Sequence, residues 1–341
     1  MLGGLWTGLE RIGFLSGAHV PAEFHGALMI SGFLGTLISL ERAVAIGNWW
    51  AYAAPGLSAV AAAALVIDKP QFAAALFLLA GIALAINSWF VAARQLALFT
   101  VVLAVGAACW PLGTWLWMQG AEAANVTGWW LAFLVLTISA ERLELSRLLS
   151  PPFSSQIIFV LAILPIIAGS ARSELSSDFA ILYGVGLLAT TAWLVRHDIA
   201  LLTIRLSGQA RFSASCLLAG YFWLGLAGCL LLLDPPRAAG FSYDGAVHAI
   251  TIGFVLSMIF GHAPIILPAV TGLRVGYTSA LYGALALLHV SAGLRISADI
   301  FEWTEARSIS GLVTVIALAS YAFMLAAASR SRRSIESRKA A

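Results

Sequence analysis

The chain has 341 residues, of which 61% are hydrophobic and only 10% charged, against roughly a quarter charged in ordinary soluble domains. A mean hydropathy of +0.93 excludes an ordinary soluble globule, and a net charge of +3 with no basic stripe excludes a nucleic-acid partner. What remains is an all-α polytopic membrane protein, because apolar runs of the ~20 residues needed to cross ~30 Å of hydrocarbon recur along its whole length.

Apolar runs bounded by charged, Gly, Pro and Ser clusters predict spans at 2–17, 24–46, 50–67, 71–93, 96–118, 126–148, 154–171, 179–196, 212–233, 245–268, 276–297 and 308–329. These twelve helices make one transmembrane domain, 1–329, followed by a basic tail, 330–341. The first is the weakest. MLGGLWTGLERIGFLSG carries Glu10 and Arg11 in mid-run and has neither the basic start nor the cleavage site of a signal peptide, so it reads as the second half of a span whose beginning lies upstream. Most of the 19 Lys and Arg residues follow even-numbered spans. By the positive-inside tendency, both termini then face the cytoplasm of a bacterial-type inner membrane.

Spans 2 and 6 close on an echo, ISLERAVAI at 38–46 and ISAERLELS at 138–146. Two explanations stand side by side: Glu-Arg pairs are convenient membrane-edge anchors, or the chain carries a four-helix internal repeat in which spans 2, 6 and 10 are equivalents. Cys109, Cys216 and Cys229 lie inside spans without CxxC or CxxCH spacing, which suggests helix packing and neither a disulfide framework nor covalent haem attachment.

Ionisable groups inside hydrocarbon are costly and point to function, so the histidines carry the question. His248 and His262 both lie in span 10, HAITIGFVLSMIFGHAPIILPAV. At ~1.5 Å per residue they are about 21 Å apart, too far to share a metal with bonds near 2 Å. His248 therefore belongs to the outer layer and His262 to the cytoplasmic one. His25 opens span 2 at the same depth as His248, and His289, in span 11, lies a turn or two deeper. Two imidazoles at one depth on facing helices are what axial ligation of a b-type haem requires. Gly26, Gly32, Gly35 and Gly253 would let backbones or a flat macrocycle approach closely. The competing expectation for His25 and His248 is an interfacial role beside headgroups and water. A proton relay is a third.

His262 precedes Pro264 and Pro268, which break the helical ladder, so a structural role competes there with metal ligation. His25 with Met29 and Met258 with His262 stand at i,i+4, an arrangement that would also suit copper, although methionine is a common core filler. His19 and His197 are expected to be solvated. Arg237 and Arg295, near outer span ends, are candidate partners for haem propionates.

HAITIG at 248–253, HGALMISGF at 25–33 and the twelve-span layout resemble the NnrS family. The resemblance implies a membrane protein that holds haem and copper and is linked to nitric oxide metabolism. It implies a b-type haem between His25 and His248, with His289 as a further ligand, an electron donor or a diatomic gas as partner, and electron transfer or nitric oxide binding as function. The layout is also similar to subunit I of the haem-copper oxidases, whose second and tenth helices supply axial haem ligands. Spans 6 and 7 contain no histidine, so the copper-centre ligands are absent and an oxygen-reducing oxidase is excluded. The alternatives from other classes are a proton-coupled small-solute transporter, which predicts broken helices and binding groups at the midplane, and a haemless scaffold.

Overall fold

The computed structural model describes residues 1–17, 20–171, 176–272 and 276–340, with side chains described up to residue 329. Among them eleven helices are long and apolar enough to cross a membrane. We label the short first helix α1 (Leu2–Arg11). The long ones are α2 (Ala27–Ile46), α3 (Trp49–Val66), α4 (Pro70–Arg94), α5 (Leu98–Met118), α6 (Ala123–Leu149) and α7 (Phe153–Ser170). They continue with α8 (Ser177–His197), α9 (Gly208–Leu233), α10 (Phe241–Thr271) and α11 (Leu281–Ile300), and end with α12 (Thr304–Ala340).

The predicted first span is the one that differs. α1 has 10 residues, about 15 Å at helical rise, and Gly13 at φ +73° ends its direction two residues later. The other eleven predicted spans all correspond to long helices. Successive helices pack as neighbours. Large apolar side chains such as Phe153, Phe222 and Phe323 are exposed on the outside, as on a surface solvated by lipid.

α6 forms the centre. In its most apolar window 78% of the residues are buried, against 33% for α12, which makes it the helix others surround rather than one facing lipid. α2, α6 and α10 touch one another, so the two echoed segments are brought together: the Arg42 guanidinium pairs with the Glu141 carboxylate. Most buried apolar residues form one cluster around α6. A smaller one lies among α9, α10, α11 and α12.

Two of the three central helices contain an irregular stretch. α2 is wound as a π-helix over Ala27–Leu34 and α10 over Ala249–Val255. Such wide turns are rare and concentrate at functional sites. Each starts within two residues of a histidine, His25 or His248.

Candidate functional site

α1, α2, the first turns of α6 and α10, and the middle of α12 enclose a cavity of about 620 Å³, within the range of cofactor and ligand sites. His25 and His248 both line it. Their ring centres are 6.4 Å apart and their planes differ by 14°. Two imidazoles on opposite sides of one metal, with bonds of about 2 Å and ring centres ~1.1 Å behind each nitrogen, would show a separation of about 6.2 Å. The separation is that of an axial pair, and it is too long for the ~4 Å contact of direct packing.

Each ring is oriented by its Nδ1. His25 Nδ1–H donates to the Gly4 carbonyl at 2.7 Å, and His248 Nδ1–H to the Asp244 carbonyl at 2.8 Å. A second hydrogen bond on the distal nitrogen is how proteins fix the tautomer of a ligating histidine. It leaves Nε2 with its lone pair, and among the described residues neither Nε2 makes a hydrogen bond. Gly8 lines the same wall because a Cβ there would stand 2.6 Å from the His25 ring, whereas a Cβ at Gly26 would meet nothing within 4 Å. Of the glycines expected to admit a macrocycle, Gly26 alone lines the cavity. Gly32, Gly35 and Gly253 instead receive Ala62, Trp110 and Trp223.

One end of the cavity is charged. Asp244 Oδ2 pairs with the guanidinium groups of Arg295 and Arg307. Asp299 takes the Nε of the same two arginines, at 3.2 Å from Arg295 and 2.9 Å from Arg307. Arg11, from α1, stands 3.9 Å from Asp244 Oδ1 and is 40% exposed, so it is the loosest member of the set. Three arginines thus face two aspartates beside His248, whose Nδ1 is also 3.7 Å from the Asp244 carboxylate. Sequence patterning singled out Arg295 but not Asp244, Asp299, Arg307 or Arg11. A signal existed in the four-residue spacings Asp244 to His248 and Arg295 to Asp299, which put both members of each pair on one helix face.

The remaining expectations fall elsewhere. Arg237 is exposed and lines no part of the cavity. His289 stacks beside Trp223, whose indole Nε1–H donates to its Nδ1 at 2.8 Å; it too lies outside the cavity lining. His262 is saturated: Nδ1–H donates to the Met258 carbonyl at 2.7 Å and Nε2 accepts from Arg142 at 2.9 Å. Both ring nitrogens of His262 are thus engaged within the protein, unlike those of His25 and His248. His197 stacks on Trp193, and His19 lies outside the described residues. Among the described residues no three His, Cys, Asp or Glu side chains gather as a metal-ligand set. An axial pair needs only two.

Fold and site together define a class: a helical protein with, among the described residues, eleven apolar helices of membrane-spanning length and an imidazole-lined cavity at one end of the bundle. Over residues 1–330 the chain matches the family described as a domain of unknown function, DUF8744, and it belongs to that family. No curated protein and no solved structure matches it.

Proposed function

We propose that the chain is a haem protein of a bacterial-type inner membrane, similar to the NnrS family, that transfers electrons or binds nitric oxide. His25 on the segment leading into α2 and His248 on α10 would hold one b-type haem between them. The observation that carries this reading is the pair of imidazoles 6.4 Å apart across a cavity, each with Nδ1 committed to a carbonyl and Nε2 left for a metal. When bound, the haem would supply a one-electron couple or an iron site for a diatomic ligand.

The chain's own groups account for the rest. Gly4 and Asp244 orient the rings, apolar residues such as Leu5, Ile30, Val247 and Leu256 exclude water, and the Arg295 cage with Arg11 gives one edge where carboxylates would find cationic partners. The outward placing of this end, with the C-terminus cytoplasmic, rests on the distribution of Lys and Arg. A copper ion would use the same imidazoles, with Met29 also on the cavity wall.

The test is a reduced-minus-oxidised visible spectrum of the detergent-purified full chain, with metal analysis. A sharp b-type α band, reduced at least about tenfold in the double variant His25→Ala/His248→Ala, is the expected result. Absence of haem after expression with ample haem supply overturns the reading, and copper at one per chain in its place moves it to the copper alternative.

A further inference from the structure

The end of the bundle opposite the cavity holds ionisable groups that the haem reading leaves without a role. Arg142 of α6 is 5% exposed, its Nε has no partner among the described residues, and its Nη2 donates to His262 Nε2 at 2.9 Å. A guanidinium is always charged and only donates, so the imidazole must accept. With Nδ1–H already on the Met258 carbonyl, that ring is neutral. The bond tying α6 to α10 here therefore exists in one protonation state of His262 alone. Every neighbouring element brings polar groups to it. α6 adds Glu141, and Asp198 follows α8. From α9 come Tyr221, which donates to Asp198 at 2.7 Å, and Cys216, beside Gly261. α2 adds Arg42 and Glu41, α11 adds Tyr282, and α12 adds Tyr321.

His262 also stands where α10 loses its hold on the bundle. Pro264 has no N–H for the Phe260 carbonyl, and Tyr321 donates to that carbonyl instead. Ser213 holds the Gly261 carbonyl at 2.7 Å, and Pro268 interrupts the ladder again. From Gly253 to Gly261 every residue except Ile259 is buried, whereas from Ile265 to Thr271 none is. We propose that residues 262–271 form a proton-operated gate, hinged at Gly261 to Pro264 and latched by the Arg142–His262 bond. A proton from the adjoining aqueous phase, reached past the Glu41 and Glu141 side chains, 29% and 21% exposed, binds the Nε2 lone pair. Both partners are then cationic donors, the hydrogen bond breaks, and Nδ1–H stays on Met258. Arg142 turns to Glu41, the counterpart of Glu141 in the sequence echo: Glu141 already pairs with Arg42, while Glu41 has that guanidinium only at 3.8 Å. The imidazolium moves toward water and carries the weakly packed segment with it. The cavity follows α10 as far as Leu256, six residues or about 9 Å from His262, so the open gate brings the second aqueous phase toward the cavity floor.

The test is amide hydrogen exchange on the full chain in detergent, with no cofactor added, at about pH 7.5 and about pH 5.5, corrected for the chemical exchange rate at each pH. Acid should speed exchange in Ile265 to Thr271 at least about tenfold relative to α5. His262→Gln keeps an acceptor that does not titrate, and should hold the segment protected at both pH values. Arg142→Gln removes the repulsion and should leave its exchange the same at both. Equal protection of the segment at the two pH values in the unaltered chain overturns the gate, and so does an equal acceleration of α5. A full acid response in either variant overturns the latch, so each variant serves if the other does not fold. None of these outcomes depends on haem, whose absence from the visible spectrum would overturn the other reading alone.

Discussion

The two ends of the bundle are built from the same residue types and do different things with them. At one end Arg42 pairs with Glu141, and Arg142 with His262; both nitrogens of that imidazole are engaged. At the other, Arg295 and Arg307 pair with Asp244 and Asp299, and two imidazoles keep one nitrogen each unengaged beside a cavity of about 620 Å³. Histidine in a membrane helix is therefore not in itself a functional sign. The sign is a lone pair left over after the tautomer has been fixed, next to space that something can fill.

The largest effect expected from this contrast is on cofactor content. His262→Ala should leave haem per chain unchanged, whereas His248→Ala should lower it at least about tenfold by pyridine haemochrome assay. Equal losses in both would mean that the two ends are not functionally distinct. Second in size is the cage. Asp244 has a side chain 3% exposed and serves two guanidinium groups, so Asp244→Ala strands buried positive charge. Removing one partner of a buried ion pair costs about 3–5 kcal/mol, and thermal unfolding in detergent should show a loss of that order. At the opposite end the Arg42 and Glu141 side chains are each 21% exposed. Glu141→Gln should therefore cost only about 1 kcal/mol in the same assay.

How much of this could be seen in the sequence follows from what helical geometry fixes. Rise per residue sets depth, so the separation of His248 from His262 and the common level of His25 and His248 were legible. Rotation about the helix axis and lateral neighbours are not set by depth, and that is why His289 was grouped with the cavity when α11 in fact turns it against Trp223. The π segments Ala27–Leu34 and Ala249–Val255 have no compositional signature, since the same apolar residues serve either winding. The end of the first helix differs for a related reason: apolar content through residue 17 suggested that it runs on, but α1 ends at Arg11, and Gly13 and Gly17 take positive φ and redirect the chain. Arg237 lies away from the cavity because proximity to a span end does not place a side chain over it, whereas Arg295 faces inward through its pairing with Asp244.

His289 sharpens the comparison with the smallest expected effect. Its Nδ1 accepts from Trp223, which requires the proton on Nε2, the reverse of the tautomer shared by His25 and His248. An imidazole with its proton on Nε2 and its Nδ1 lone pair already committed to an indole has no nitrogen to offer a metal. Loss of its one hydrogen bond is then the whole consequence of removing the ring: about 1 kcal/mol. His289→Gln should accordingly shift the unfolding transition slightly and leave the α band at its original position and height. A change in the band with unaltered stability would put His289 at the cofactor after all, and would require α11 to turn relative to Trp223 when the cavity is filled.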